Sequence, residues 1–234
     1  MKKEKKMKLE TVYKDENVIV IVKPIGMPSQ SDPTGDKDAM SATSEMLAEI
    51  GEKDALWLVH RLDRNVSGLL AFARNKKSAS ALSEIIASGR LTKKYLAVCH
   101  GKAEEGRYTD FIYKDSTTSK AYVVKTERRG AKEAKLSLSL LGYEDDKSLV
   151  SVTLETGRFH QIRAQLSSRS HSLVGDKKYG SRDAKRRTPC LFSHELTFEL
   201  FGKKISANAL PNIEEYPWNI FSKDLYERIE SNDE

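Results

Sequence analysis

Short runs of apolar and β-branched residues alternate with charged and turn-forming segments along the first hundred residues. Runs of this length and composition are typical of buried strands. They predict strands over residues 17–22, 57–62, 69–73 and 95–99. The first run leads into residues 23–28, whose two prolines and one glycine predict a loop.

Other segments carry apolar side chains at helical spacing. They predict helices over residues 39–50, 76–88 and 159–166, and a short helix is expected over residues 218–229. The first two helices are each followed by a glycine. Glycine commonly follows a helix C-terminus because it adopts the left-handed conformation without strain.

Further runs with strand-like alternation occupy residues 121–124, 136–141, 149–153, 196–200 and 205–207. Many strands with few helices, in no regular strand–helix–strand order, indicate an α+β fold with a largely antiparallel sheet. The length of 234 residues suits one domain with a sizeable core.

Composition and charge narrow the class of protein. Hydrophobic residues make up 38% of the chain and charged residues 32%, as in soluble globular proteins. The net charge of +6 and the sequence pI of about 9.1 suit a polyanionic partner such as RNA or DNA, and equally a well-solvated surface. The basic run at residues 182–187 has the same two interpretations, of which we favour contact with an RNA backbone.

Cysteine usage and the length of apolar runs bear on the compartment. Cys99 and Cys190 form neither a CxxC pair nor a disulfide framework, which favours a reducing compartment. No apolar run of signal-peptide type follows the charged N-terminus, and the apolar stretch at residues 18–22 is too short to span a bilayer. We therefore expect a cytoplasmic protein without a membrane segment.

Signatures of common cofactors are missing from the sequence. It contains no phosphate-binding P-loop, no dinucleotide-binding glycine motif and no HExxH zinc motif. His194 and Glu195 begin a zincin-like string, but no histidine stands at the required position after them. We therefore expect chemistry by side chains alone, with no cofactor and no metal.

One string of charged residues lies where a predicted strand meets a polar loop. Asp63 is flanked by Arg61 and Arg64, and His60 precedes them. A surface ion pair is the simpler interpretation, because such pairs are common. Against it, two arginines, a histidine and an aspartate within five consecutive positions are costly to place at a strand end without a ligand.

Two further strings carry candidate chemistry. The predicted helix at residues 159–166 should bury one apolar face that begins with Phe159. His160 and Arg163, three residues apart, should lie together near the helix N-terminus, where anions are favoured. Tyr95, in the string KKYLAV, is either a core aromatic of its strand or a ring that stacks on a base.

Each string alone is compatible with a purely structural role, but their order along the chain is specific. DENVIVIVKPIGMP, HRLDRNVSGLL, KKYLAVCHG, TGRFHQIRAQL and GDKKYG follow one another between residues 15 and 180. In sequence and in order, they resemble the successive motifs of the RluA-type pseudouridine synthases.

This resemblance implies a fold and an activity. The fold is the pseudouridine synthase fold, an α+β domain with a mixed, mostly antiparallel sheet, flanking helices and a central catalytic cleft. The activity is that of an RNA pseudouridine synthase, an isomerase that converts uridine to pseudouridine in structured ribosomal or transfer RNA after flipping the base. We expect a basic lead-in at residues 1–8, one catalytic domain at residues 9–234 without a separate N-terminal RNA-binding module, and a monomer.

The resemblance also implies roles for single residues. Asp63 is expected to be the nucleophile, with Arg163 as a bidentate counter-charge that fixes its orientation. Tyr95, the third catalytic residue, is expected to stack on the uracil and to act late as a base. Arg61 would enter the RNA in place of the extruded base. The further substrate-binding candidates are His60, Arg64, His160 and Gln161.

Two other functions remain open. A degenerate relative could bind RNA without chemistry, although intact Asp63, Tyr95 and Arg163 argue against this. A nucleoside or glycoside hydrolase would normally need a second carboxylate. The strings KKYLAV and HQIR contain none.

Overall fold

The computed structural model describes residues 9–52 and 55–231, and one sheet forms the framework of this part of the chain. Its eleven strands are β1 (Glu10–Lys14), β2 (Val18–Lys23), β3 (Trp57–Leu58), β4 (Ser67–Ala73), β5 (Thr92–His100), β6 (Gly106–Asp115), β7 (Lys120–Val124), β8 (Ala131–Glu144), β9 (Lys147–Leu154), β10 (Leu191–Leu200) and β11 (Lys203–Asn208). The α-helices in the same residues are α1 (Ala39–Glu49), α2 (Lys76–Ala87), α3 (Gln161–Ser168) and α4 (Lys223–Ser231). The predicted lead-in at residues 1–8 lies outside the described residues.

The strands are arranged in the order β1-β2-β4-β10-β5-β9-β8-β6-β7, with β3 added to β4 and β11 added to β10. Within the described residues, the strand pairs are antiparallel except for a short parallel pairing of β4 with β10. The predicted α+β fold with a mixed, mostly antiparallel sheet is therefore confirmed.

Successive side chains of the central strands pack on opposite faces of the sheet. On β4, Leu70 joins the core that includes α1 and α3, whereas Leu69 packs in the core beneath α2. On β5, Tyr95 belongs to the same core as α3, whereas Leu96 packs in the cluster that includes α4. Helices thus flank both faces, and this alternation places Tyr95 on the side of α3.

The parallel contact between β4 and β10 depends on a glycine. Gly68 pairs with Ser193, which pairs on its other side with Tyr95. The φ angle of Gly68 is 110°, and a Cβ at this position would lie 2.3 Å from the backbone oxygen of Ser193. Only glycine fits there without displacing β10. The glycine of HRLDRNVSGLL therefore has a packing role next to Tyr95.

Two predicted elements are shorter or divided in the structure. The strand predicted over residues 57–62 stops after two residues, because the ring nitrogen Nε2 of His60 accepts a 3.0 Å hydrogen bond from the Ala71 N–H, where β3 would otherwise continue to pair. The chain then leaves the sheet as a loop. The helix predicted over residues 218–229 is divided into a 3₁₀ turn, Trp218–Ile220, and α4.

The helix predicted over residues 159–166 begins two residues later than predicted. His160, directly before α3, has a left-handed φ of 52°, which an α-helix does not accommodate. Phe159 therefore lies in the preceding turn and packs near Ile112, not with Ile162 as predicted. From this position, directly before α3, His160 contacts Asp63 and Tyr179.

Candidate active site

Asp63 lies in the loop between β3 and β4, in the wall of a cavity of about 710 Å³. This loop, the end of α2, β5 and the start of α3 surround the cavity. The hydroxyl of Ser29 fixes the loop by donating to the Leu62 carbonyl at 2.9 Å and accepting from its N–H at 3.1 Å. The Asp63 side chain is 26% exposed and so remains accessible from the cavity.

Arg163, on α3, is adjacent to this carboxylate but is bound elsewhere. Its Nη1 lies 3.6 Å from Oδ2 of Asp63. Its two short hydrogen bonds go to Asp176, from Nε to Oδ2 at 2.7 Å and from Nη2 to Oδ1 at 2.9 Å. The predicted bidentate pair between Arg163 and Asp63 is therefore wrong. Asp176 takes the bidentate position because its side chain is 1% exposed and has no access to water as an alternative partner.

Asp176 is a site residue that sequence reasoning missed. It lies between α3 and β10 in the string GDKKYG, where it is the one carboxylate in a basic segment. The available signal was this single carboxylate in one of the family-like strings, since a carboxylate in a basic segment is a candidate partner for an arginine of another string. Its partner Arg163 is itself buried, so the pair anchors the guanidinium and leaves one nitrogen facing Asp63.

His160 makes a second contact with Asp63, and it does so as a neutral ring. Burial, reinforced by the charge of Arg163, lowers the pKa of His160 to about 3. Its Nε2 lies 3.5 Å from Oδ2 of Asp63, and its Nδ1 lies 2.9 Å from the hydroxyl of Tyr179. Because the Ala121 N–H donates to the Tyr179 oxygen, the hydroxyl proton is free to donate to Nδ1. The Nε2 proton then faces Asp63.

The surroundings of Asp63 act on its charge in opposite directions. Burial raises the pKa of Asp63, whereas the charges of Arg163, Arg61 and Lys23 lower it, and burial has the larger effect. A carboxylate that has lost part of its hydration is more basic and more nucleophilic than one at the surface. The cations around it stabilise the ionised form that such a reaction requires.

Lys23 is a second residue that sequence reasoning missed. It is fully buried at the end of β2, and its Nζ donates to the carbonyls of Met27, Pro24 and Arg64 at 2.8, 3.0 and 3.2 Å. Burial lowers the pKa of Lys23 to about 8, although the charge of Asp63 opposes this. The available signal was a lysine directly after an apolar strand, since lysine is rarely fully buried without partners.

Tyr95 contributes an aromatic surface to the same cavity. It is 7% exposed, and burial together with the charge of Asp63 raises the pKa of its hydroxyl. The ring is therefore a neutral phenol at physiological pH, and a flat uracil can stack on such a surface. The late action of Tyr95 as a base stays a prediction. The raised pKa opposes it, because the phenol must lose its proton before it can accept one.

The remaining candidates divide into cavity residues and structural residues. Arg61 is exposed and lines the cavity. Arg64 faces away and binds the hydroxyl of Thr34 at 2.9 Å and the carboxylate of Asp36. His60 and Gln161 line the cavity, but His60 accepts from a backbone N–H of β4, and Gln161 accepts from the loop before α3. Their roles in substrate binding stay predictions.

The basic run at residues 182–187 does not line the cavity. Within it, Arg186 donates to the carbonyls of Thr188 and Tyr216 at 3.0 and 3.1 Å, so contact of this run with RNA stays a prediction. In the described part of the chain, no helix is long and apolar enough to cross a bilayer. The same residues contain no cluster of three His, Cys, Asp or Glu side chains arranged to hold a metal ion.

Comparison with known families identifies the fold family. A family model described as RNA pseudouridylate synthase matches residues 17–168, which is more than half of the chain. The chain belongs to this family of RNA pseudouridylate synthases. The matched range includes Asp63, Tyr95 and Arg163, whereas Asp176 lies beyond it.

Two similar synthases and one solved structure illustrate the relationship. An uncharacterised RNA pseudouridine synthase of Mycoplasma genitalium is 30% identical over 227 residues, which are 90% of this chain and 68% of the relative. Ribosomal large subunit pseudouridine synthase D of Yersinia pestis is 30% identical over 177 residues, 74% of this chain and 53% of the relative. The chain thus spans between about half and two thirds of the length of these relatives. The solved structure of human RNA pseudouridylate synthase domain containing 1 aligns with 98% of this chain and 97% of the human chain, with a TM-score of 0.77 and 22% identity. This similarity supports the fold.

The motif strings of this pseudouridine synthase meet at one place. HRLDRN precedes β4, KKYLAV forms part of β5, and TGRFHQIR leads into α3. Residues of all three strings line the same cavity. Tertiary structure therefore joins segments that are far apart in the chain into one candidate active site.

Proposed function

We propose that this synthase isomerises uridine to pseudouridine at specific sites in structured RNA, ribosomal or transfer, with Asp63 as the nucleophile. The observation that carries the proposal is the presence of Asp63, Arg163 and Tyr95 in the wall of one cavity. The reaction breaks the bond between C1′ of the ribose and N1 of uracil. The uracil turns and forms a bond between C1′ and C5; the C5 proton then leaves, and N1, freed from the sugar, takes up a proton. Atoms are conserved, and no oxidant or energy source is consumed.

Each side chain has a stated task in this proposal. Asp63 attacks the nucleotide, at the sugar or at the base, as a desolvated carboxylate. Arg163 holds its charge, and Tyr95 stacks on the uracil. A uridine inside a stem or folded loop cannot reach the cavity unless it is flipped out. Arg61, exposed at the cavity wall, is the side chain that would occupy the vacated place.

Release of tritium from C5 of uracil tests the proposal. Transcripts of large-subunit ribosomal RNA and of transfer RNA are made with uracil tritiated at C5 and incubated with each protein. Wild type should release tritium to water, and Asp63→Asn should release none. Asp224→Asn is the matched control, because Asp224 is exposed on α4 away from the cavity. Release that persists in Asp63→Asn would overturn the assignment of the nucleophile.

The same assay separates the two alternative functions. Tight RNA binding without tritium release would indicate a binding protein. Free uracil would indicate a hydrolase, which requires a second carboxylate. Glu155 lines the cavity, but both of its oxygens are engaged by Arg107, at 2.9 and 2.5 Å, which does not favour acid–base work.

The proposal includes the organisation of the protein. We expect residues 9–234 to act as one catalytic domain, as a monomer in the cytoplasm, without a cofactor. The single sheet that runs from β1 to β11 supports one domain. Light scattering should give a mass near 26.4 kDa for this chain, and a multiple of that mass would contradict the monomer.

A further inference from the structure

A half-buried lysine faces the active-site cavity without a partner of opposite charge. Lys93 lies on β5 two residues before Tyr95, so the two side chains point to the same side of the sheet, and both line the cavity. Among the described residues, no hydrogen-bond acceptor or carboxylate pairs with its ammonium group, and burial alone lowers the pKa of Lys93. A cation removed from water without a partner is costly, which indicates that a ligand supplies the partner.

The neighbouring lysine of the same strand, Lys94, has a partner of opposite charge. Lys94 points to the opposite side of the sheet, and its Nζ lies 3.2 Å from the carboxylate of Glu195 on β10. Two adjacent lysines of the same strand therefore differ in one respect. Lys94 forms an ion pair with a carboxylate, whereas Lys93 faces the cavity without such a partner.

The Lys93 ammonium group lies beside a glycine of the cavity wall. A Cβ built on Gly157 would be 3.4 Å from Nζ of Lys93, so a larger side chain at this position would cover the ammonium group. Arg158 lines the same cavity, and its Nε donates to the carbonyl of Glu133 at 2.8 Å. The nearby carboxylate of Glu155 is already bound by Arg107. An anion entering here would meet unpaired positive charge.

The position of Lys93 relative to the nucleophile indicates which part of a nucleotide it meets. Among the described residues, the side chains that approach the Asp63 carboxylate within 4 Å as ion-pair partners are His160 and Arg163, and Lys93 is not one of them. The Lys93 ammonium group therefore does not pair with Asp63, beside which the uracil and its sugar would react. In a nucleotide, the groups beyond the sugar are the phosphates.

We infer that Lys93 binds a phosphate of the flipped nucleotide and holds the RNA backbone while the uracil occupies the space between Asp63 and Tyr95. The inference rests on the proposed function and adds a substrate-binding residue to it. An ammonium group is well suited to this task because it binds phosphate as a compact point charge. Base-pair identity is not read by such a contact, which positions the substrate.

A pair of lysine substitutions tests the inference. Lys93→Gln and the control Lys94→Gln are compared with wild type on the tritiated RNA, with kcat and KM measured over a series of KCl concentrations. Lys93→Gln should raise KM roughly tenfold with kcat largely unchanged, as expected for loss of one charged hydrogen bond. The slope of log KM against log salt should fall by about 0.7–0.9, the value for one phosphate contact. Lys94→Gln should change neither quantity, and Lys93→Arg should restore the slope.

Two results would overturn the inference. One is a loss of kcat in Lys93→Gln with the salt slope unchanged, which would place the ammonium at the reacting base. The other is a lowered melting temperature with an unchanged slope, which would make Lys93 structural. Binding of the same transcripts, followed by fluorescence anisotropy over the same salt series, requires no turnover. If wild type releases no tritium, the proposed function fails, while the anisotropy slopes still decide for or against the phosphate contact.

Discussion

Replacing Asp176 by asparagine tests whether a buried partner holds Arg163 in the site. The Asp176 side chain is 1% exposed and that of Arg163 is 7% exposed, and the two form hydrogen bonds of 2.7 and 2.9 Å. Breaking a buried ion pair on one side costs about 3–5 kcal/mol, because the remaining charge is left uncompensated. For a chain of this size, each kcal/mol lowers Tm by about 2–4 °C. We therefore expect Asp176→Asn to lower Tm by about 6–20 °C.

The same substitution should also affect catalysis. Arg163 presents Nη1 to Asp63 at 3.6 Å only while its other nitrogens are anchored. Without the anchor, the guanidinium can turn away, and kcat should fall more than KM rises. Asp176→Glu keeps the charge and should recover part of both stability and kcat.

The matched control is the same change, carboxylate to amide, at an exposed pair. Glu214 pairs with Lys223 at 2.7 Å, and these side chains are 67% and 69% exposed. Exposed pairs contribute about 0–1 kcal/mol, so Glu214→Gln should cost little. Thermal unfolding of both variants at pH 7 measures the difference. Equal losses of Tm in the two variants would refute the reasoning, because burial would then not determine how much an ion pair contributes to stability.

Three further outcomes follow from the same contacts. Gly68→Ala should destabilise the fold severely, since its Cβ would lie 2.3 Å from the Ser193 carbonyl oxygen, and a thermal melt near that of wild type would contradict this. Asp63→Asn should raise Tm at pH 7, because burial raises the pKa of Asp63 in the folded protein. Above that pKa, the ionised carboxylate destabilises the fold by its full amount, and the gain in Tm from its removal should shrink as the pH falls through the pKa. A gain independent of pH would oppose this cause. Arg163→Ala should lower Tm by leaving the buried Asp176 unpaired, and adding Asp176→Ala should recover part of the loss; an additive loss would exclude the pair as the reason.

Local patterns predicted those elements that depend mainly on their own residues. The helix predicted over residues 76–88 is observed at Lys76–Ala87, where the Asn75 side chain caps its start and Gly89 follows its end. The strand predicted over residues 17–22 is observed at Val18–Lys23. In these segments, apolar periodicity and the terminal residues agree with the tertiary packing, so the sequence is sufficient.

Elements with ends set by distant contacts were predicted less well. The strand predicted to end at Leu62 stops early because the His60 ring takes the N–H that the strand would have used. The start of α3 is displaced by the left-handed conformation of His160, which the Tyr179 hydroxyl and Asp63 surround. Neither contact is visible in a local pattern, since each joins residues of different structural elements, 11 or more positions apart.

The sequence by itself determined the family, the mostly antiparallel α+β fold and the strings that contain Asp63, Tyr95 and Arg163. Only the tertiary structure decided how those residues are paired. Arg163 binds Asp176 with two hydrogen bonds and approaches Asp63 with one nitrogen, whereas a bidentate pair with Asp63 was predicted. The physical reason is burial: the carboxylate with no access to water takes the guanidinium, and burial is a property of the folded chain that no local string contains.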